Sequence, residues 1–198
     1  MHNLKTLFRQ SPFIALIVLT VSIHAQPYTS NRETEITAVK STFTYGNNKD
    51  YSGQAIDLKA DLYKPALFSN NLPMVIIYHG GGYASGDRNL AVLKVFSEYL
   101  TVNNISAVLP DFRQGWYESS TKPLCESVTP EKFEDAAHRA YQDNRALIRY
   151  CKANATALGI DSNKIYLMGI SSGGFLVLHH LYVNDASIDA DRIARLGK

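Results

Sequence analysis

The chain has 198 residues, of which 45% are hydrophobic and 19% are charged, and its formal net charge is +2 at pH 7. This length suits one domain, and the composition is that of an ordinary globular protein. The nearly neutral charge, without a basic stripe or charge block, argues against a nucleic-acid-binding protein, so no nucleic acid is expected as a partner.

The first 25 residues have the layout of a secretory signal peptide. A positively charged start is followed by an apolar run at 13–23 and by the small residue Ala25. The run is shorter than the ~20 residues that a membrane-spanning helix needs. We expect cleavage after Ala25, a secreted or periplasmic protein with no stable membrane span, and a polar, disordered mature N-terminus at 26–33. An uncleaved anchor is the alternative.

The mature chain starts with the pattern of an antiparallel hairpin. Apolar and polar residues alternate at 56–62, and 35–45 is rich in Thr, Val, Ile and Phe. The turn-rich segment at 46–50 separates the two runs, so the predicted hairpin turns there.

Strands and helices then alternate along the chain. Short apolar runs at 74–78, 105–109 and 164–168 predict strands buried on both faces of a parallel sheet. Apolar residues at helical spacing predict a helix over 90–103 (Val92, Val95, Phe96, Tyr99 and Leu100) and another over 175–183. Thr129 and Pro130 have the residue types of an N-cap and a first helical position, and predict a long helix that ends near Gly159.

This order of elements predicts an α/β fold. An antiparallel start followed by strand–helix alternation gives a mostly parallel sheet with helices on both faces, in a single domain over 34–198. In an exported protein Cys125 and Cys151 can form a disulfide, and two unpaired thiols are an equal alternative. No metal site is expected, since only the adjacent His179 and His180 have a suggestive spacing.

The strongest motif is Gly169-Ile-Ser171-Ser172-Gly173, which fits G-x-S-x-G. It lies directly between an apolar strand and an apolar helix, which is the context of a nucleophile elbow. The turn holds the serine in a strained conformation and leaves no room for side chains at 169 and 173. We therefore predict that Ser171 is a nucleophile, exposed at the N-terminus of a helix whose dipole favours negative charge.

A second glycine motif, His79-Gly80-Gly81-Gly82, follows the strand at 74–78. Three glycines leave backbone N–H groups free to face a substrate oxygen, as the tetrahedral intermediate of acyl transfer requires. A phosphate-binding loop is excluded, because no Lys-Ser/Thr pair follows. An HGGG loop together with the amide of the residue after the nucleophile, here Ser172, forms the oxyanion hole of lipases and esterases.

With these motifs the sequence resembles the α/β-hydrolase superfamily, and in particular the hormone-sensitive-lipase-like and feruloyl/acetyl-esterase-like carboxylesterases with an HGGG loop. The resemblance covers roughly residues 55–185, through HGGGYASGD (79–87), LPDFRQGW (109–116) and the segment 143–174. It implies that Ser171 attacks an ester carbonyl and that no cofactor is needed. It also implies that two of the amides of Gly80, Gly81 and Gly82, with that of Ser172, bind the oxyanion, and that His79 braces the loop.

A serine nucleophile of this kind works with a histidine base and an acidic residue, which together form a catalytic triad. Neither of these two partners of Ser171 is identifiable in the sequence. In this superfamily an Asp or Glu and then a His follow the nucleophile, on later loops. His179 and His180 lie roughly 12 Å along the elbow helix from Ser171, and His138 belongs to the preceding helix. We expect a chain truncated after the elbow helix, without the C-terminal strands, which leaves an open edge at 164–168 and little activity. A frameshifted gene or a completing second chain is the alternative.

Substrate and function class remain open from sequence alone. The loop 114–128, with Trp116 and Tyr117, is a candidate wall of the substrate pocket, and the ester is either a small molecule or linked to a polysaccharide. A non-catalytic hydrolase-like binding module and a serine peptidase of the same fold are the competing functions. Oligomeric state is not indicated.

Overall fold

A computed structural model describes residues 38–67, 70–116 and 128–197. The chain divides into two units, Met1–Glu35 and Ile36–Lys198. The predicted signal peptide, the predicted disordered segment and Cys125 lie outside the described residues. No helix in the described ranges combines enough length with enough hydropathy to span a bilayer.

The described residues form five strands and five α-helices. The strands are β1 (Ala38–Lys49), β2 (Ala55–Pro65), β3 (Leu72–Tyr78), β4 (Ser106–Pro110) and β5 (Ile160–Gly169). The helices are α1 (Ala91–Val102), α2 (Pro130–Ala153), α3 (Ala155–Leu158), α4 (Ser172–Tyr182) and α5 (Ala190–Leu196), and a short 3₁₀ turn (Asp185–Ser187) joins α4 to α5.

The strands form one mixed sheet in the order β1-β2-β4-β3-β5. The pairs β1–β2 and β2–β4 are antiparallel, whereas β3 pairs in parallel with both β4 and β5. The antiparallel start and the parallel remainder confirm the predicted fold class. The carboxyl ends of β3, β4 and β5 therefore meet at one edge of the sheet.

Both faces of the sheet are covered by helices, as predicted. Side chains alternate along β3, so Met74 and Ile76 belong to the cluster shared with α2 and α4. Ile77 points the other way and joins the cluster that contains Leu93 of α1. A strand buried on both faces favours apolar residues on each, and the continuous apolar run 74–78 is explained by this position.

The long helix begins where the sequence predicts. The Thr129 hydroxyl accepts a hydrogen bond from the amide of Lys132, with Pro130 in the first turn. Gly159 is in the left-handed conformation after α3, at φ 71°. These capping residues define both ends of the helical segment.

The hairpin turn lies further along the chain than predicted. The segment 46–50 is largely part of β1, and the turn is at 50–54. A carboxylate oxygen of Asp50 accepts hydrogen bonds from the amides of Ser52, at 2.8 Å, and Gln54, at 3.0 Å. This Asx-type pattern stabilises the turn at Asp50 in preference to the earlier glycine and asparagines.

The apolar side chains of α1 that predict a helix are not its buried face. Val95 and Tyr99 are more than 60% exposed, whereas Leu93, Ser97 and Thr101 are buried. The Ser97 and Thr101 hydroxyls donate to the backbone carbonyls four residues earlier, at 2.9 and 2.7 Å. Such bonds satisfy both hydroxyls within the helix, so this polar side can pack against the sheet.

A further prediction about the C-terminal region, the burial of β5, is wrong. The strand β5 is not buried on both faces: it forms one edge of the described sheet, with Tyr166 57% exposed. The helix predicted over 175–183 is α4, which begins earlier, at Ser172, and ends at Tyr182, while Asp189 caps α5 through its side chain.

A buried ion pair joins three parts of the domain. Asp143 of α2 accepts the amide and the side chain of Arg113, at 2.7 and 2.9 Å, and both side chains are nearly inaccessible to solvent. Arg113 also donates to the carbonyl of Lys49 and to Gln142. Burial raises the pKa of Asp143, against the opposing effect of Arg113. The pair therefore connects β1, the segment after β4, and α2.

We expect Asp143→Ala to lower the free energy of unfolding by about 3–5 kcal/mol, because Arg113 would be left as an unpaired buried charge. Urea denaturation followed by circular dichroism measures the change. The control is Lys164→Ala, which removes an exposed ion pair with Asp161 and should change stability by no more than about 0.5 kcal/mol. Equal effects of the two variants would contradict a structural role for the buried pair.

Candidate active site

The two glycine motifs lie side by side because β3 and β5 are parallel neighbours. Tyr78, the last residue of β3, is paired in register with Gly169, the last residue of β5. The amide of Ile170 also donates to the carbonyl of Tyr78 at 3.1 Å. The segments that leave the two strands, 79–82 and 170–172, therefore start at the same point of the sheet edge.

Ser171 has the backbone conformation expected of a nucleophile elbow. Its φ of 53° and ψ of −119° are strained for a residue with a side chain, and it is the N-cap residue of α4. A Cβ added to Gly169 would overlap backbone atoms of Gly173, and one added to Gly173 would lie 2.5 Å from the carbonyl oxygen of Tyr78. Glycine at both positions thus allows the tight strand-to-helix turn, and Ser171 is exposed.

The HGGG backbone lies against the serine. A Cβ built on Gly80 would lie 3.1 Å from the Cβ of Ser171. Within the described ranges no acceptor is paired with the amides of Gly80, Gly81, Gly82 or Ser172. Unpaired donors beside an exposed hydroxyl are the arrangement that stabilises an oxyanion during acyl transfer.

His79 is a buried structural histidine whose two ring nitrogens are both occupied. Its Nδ1 lies 2.7 Å from the carbonyl oxygen of Gly80, and its Nε2 lies 3.1 Å from the side-chain nitrogen Nε2 of Gln114. The ring stacks on Phe112 with centroids 4.3 Å apart. Burial lowers the pKa of His79, so the ring is neutral at neutral pH and has no free nitrogen to accept the serine proton.

The remaining described histidines lie away from the serine. His138 Nε2 is 2.9 Å from the carbonyl oxygen of Gly197, and His179 stacks on Tyr141. His180 follows on the same helix as His179, and burial lowers the pKa of both. No histidine in the described part of the chain is a candidate base for Ser171, and no cluster of metal-binding side chains occurs there.

An ion-pair network that has no recognisable sequence motif anchors the segment that follows the HGGG loop. Arg88 bonds to Asp111, which follows β4, and lies 3.2 Å from a carboxylate oxygen of Asp61 in β2. Asp61 also forms an ion pair with Lys40 and accepts a hydrogen bond from the Thr42 hydroxyl, both at 2.7 Å. Burial acts to raise the pKa of Asp61, but the hydrogen bonds from these partners outweigh it and hold the pKa below its usual value. The segment that contains Arg88 is therefore fastened to β2 and to the segment after β4.

Aromatic side chains lie beyond the loop. Tyr83 and Trp116 are buried and both contact Phe133, with ring centroids 5.5 and 5.9 Å away. The predicted pocket wall is thus a packed aromatic cluster where it is described, while Tyr117 lies outside the described residues.

Cys151 is buried, and its burial raises its pKa to about 12. Cys151 is unpaired in this structure, which favours the unpaired-thiol alternative over a disulfide with Cys125.

Three comparisons relate the chain to known proteins. A family model described as BD-FAE matches residues 129–195. A secreted lipase of Arthroderma benhamiae is 26% identical over 121 residues, which are 60% of this chain and 23% of the lipase. Apo esterase 2 of Thermogutta terrifontis is 25% identical with a TM-score of 0.56, over 76% of this chain and 48% of that one. The butyrate-bound form of the same esterase gives 25% identity and the same TM-score.

The chain spans about half the length of the solved esterase and about a quarter of the lipase it matches. The shared part is the mixed sheet with its helices, and both glycine motifs lie at the carboxyl edge of that sheet.

The close backbone contact at the elbow gives a testable result. We expect Gly169→Ala to destabilise the protein by about 1–3 kcal/mol or more, because the new methyl group would overlap Gly173. In Gly174→Ala, the matched control, the nearest atom is 3.4 Å away, and the helix propensity of alanine should keep or raise stability by up to about 1 kcal/mol. Thermal unfolding of both variants measures this, and a stable Gly169→Ala protein would contradict the elbow geometry.

Proposed function

We propose that this chain, which has part of the α/β-hydrolase fold and is similar to esterases and a lipase, carries the nucleophile and oxyanion hole of a serine carboxylesterase. The observation that supports this most is the strained, exposed Ser171 beside the unpaired amides of the HGGG loop. A turn that only joined a strand to a helix would have no need of either feature.

In the proposed reaction, the Ser171 oxygen attacks the ester carbonyl carbon and its proton passes to a base. The carbonyl oxygen becomes negative in the tetrahedral intermediate, where the amide of Ser172 and two of those of Gly80, Gly81 and Gly82 stabilise it. The intermediate collapses with loss of the alcohol, which takes up the proton, and an acyl group remains on Ser171. Water then attacks this acyl-enzyme and releases the acid.

The position of Ser171 at the start of α4 supports the same step. The N-terminal amides of a helix carry partial positive charge, and this favours negative charge that develops beside them. Ser171 is the N-cap residue and its side chain makes no capping hydrogen bond. The hydroxyl is therefore left available for the substrate.

The substrate is proposed only as a carboxylic ester, either small or linked to a polysaccharide. We also propose that the protein is exported through the segment 1–25, in keeping with the secreted lipase it resembles. No contact among the described residues favours either of the alternatives, a non-catalytic binding module or a serine peptidase of the same fold.

Chemical modification tests Ser171 directly. We expect a fluorophosphonate to phosphonylate Ser171 slowly, and added imidazole to accelerate the labelling, because a dissolved base can take the serine proton. Peptide mass spectrometry locates the label, which should be absent from Ser171→Ala and retained in Ser162→Ala. Labelling that persists in Ser171→Ala would place the nucleophile elsewhere.

We further expect the 198-residue polypeptide to hydrolyse p-nitrophenyl acetate no faster than its Ser171→Ala variant. Both ring nitrogens of His79 are occupied, and the other described histidines lie on α2 and α4 away from the serine. Loss of the triad histidine costs about 10⁶-fold in kcat in a serine hydrolase. A spectrophotometric assay without added base checks this. Turnover that disappears in the variant would show that a base is present after all.

A further inference from the structure

Gln114, which follows β4, reaches the histidine of the HGGG loop. Its side-chain nitrogen lies 3.1 Å from Nε2 of His79 and 2.8 Å from the carbonyl oxygen of Gly86. On the other side of the ring, His79 Nδ1 lies 2.7 Å from the carbonyl oxygen of Gly80. The imidazole is thus held between a glutamine side chain and the backbone of the loop it belongs to.

The backbone carbonyls of Gly86 and Gly80 determine which atoms of Gln114 and His79 carry the hydrogen-bonding protons. A carbonyl oxygen can only accept, so the Gln114 atom beside Gly86 must be the NH₂ group rather than the amide oxygen. The same NH₂ group therefore donates to Nε2 of His79, which must be unprotonated. By the same reasoning the carbonyl of Gly80 requires a proton on Nδ1. His79 is consequently the neutral Nδ1–H tautomer.

The bond to Gly80 sets the direction of the next amide. A trans peptide places its C=O and N–H on opposite sides of the chain, and no cis peptide occurs in the described residues. With the Gly80 oxygen held against the imidazole, the N–H of Gly81 points away from it. The absence of a side chain at Gly86 leaves room for the contact between the Gly80 carbonyl and the His79 ring, since a Cβ there would lie 2.5 Å from the Gly80 oxygen and 2.7 Å from His79 Nδ1.

We propose that Gln114 is a positioning residue of the oxyanion hole: it holds His79 in the Nδ1–H tautomer, which pins the Gly80 carbonyl and thereby aims the Gly81 amide at the substrate oxygen. This role rests on the proposed esterase function. It also selects Gly81 from the three loop glycines as one of the donors. The stacking of Phe112 on the imidazole keeps the ring in the plane that both hydrogen bonds need.

The tautomer can be measured on the whole chain without any catalysis. In ¹⁵N NMR of the ring-labelled protein near neutral pH, assigned His79 should show a protonated Nδ1 and an unprotonated Nε2. A predominant Nε2–H tautomer or an imidazolium would overturn the inference. This result comes from the unaltered protein, so it does not depend on whether any variant folds.

Two variants test the part played by Gln114. Gln114→Leu removes the donor, and we expect the single tautomer to be lost and the Gly81 amide resonance to shift. Gln114→Glu puts an acceptor beside Nε2, and we expect Nε2 to become protonated and the pKa of His79 to rise. Gln54→Glu makes the same change at an exposed position and should leave His79 unchanged.

The two proposals fail in different ways. An unchanged Nδ1–H tautomer and an unchanged Gly81 amide in both Gln114 variants would overturn the role of Gln114, whatever Ser171 does. Labelling that persists in Ser171→Ala would instead overturn the serine mechanism and leave the hydrogen-bond chain intact.

Discussion

The parallel pairing of β3 with β5 is the constraint on which the candidate site depends. It places Tyr78 opposite Gly169, so the two glycine motifs leave the sheet at the same point although they are far apart in sequence. Gly173 then packs against the carbonyl oxygens of Tyr78 and His79 without room for a side chain. A slip of one residue in this register would turn every side chain of β5 to the other face and separate the serine from the loop.

Much of this fold could be predicted from the sequence, because its central strands are determined locally. Strands β3 and β4 are buried on both faces, and their sequences are apolar at 74–78 and, except for Ser106, at 105–109. The start of α2 is likewise indicated by the residue types of Thr129 and Pro130. The faces of α1 could not be predicted in this way. Ser97 and Thr101 satisfy their hydroxyls within the helix, and a hydropathy pattern counts them as polar regardless.

The chemistry of the site was predictable only as far as its residues are contiguous in sequence. The elbow and the HGGG loop are each a short contiguous motif, and Gly169 and Gly173 have no room for a side chain. The contacts of Gln114 and Arg88 link segments that follow different strands, and such pairs have no signature in a single sequence. Gln114 lies within a sequence segment that resembles the superfamily, and Arg88 directly follows another. The roles of both residues are nevertheless visible only from their three-dimensional contacts.

The anchoring of the HGGG loop has a consequence for the thermodynamics of ligand binding. Arg88 ties the loop to β2 and to the segment after β4, the amides of Ala84 and Ser85 donate to the carbonyl of Gly81, and the amide of Gly115 donates to that of Tyr83. The conformational entropy of this segment is therefore lost when the protein folds rather than when a ligand arrives. Binding of an anion or a transition-state mimic at these amides should carry little entropic penalty from ordering of the backbone, and the enthalpy of the new hydrogen bonds should dominate its temperature dependence.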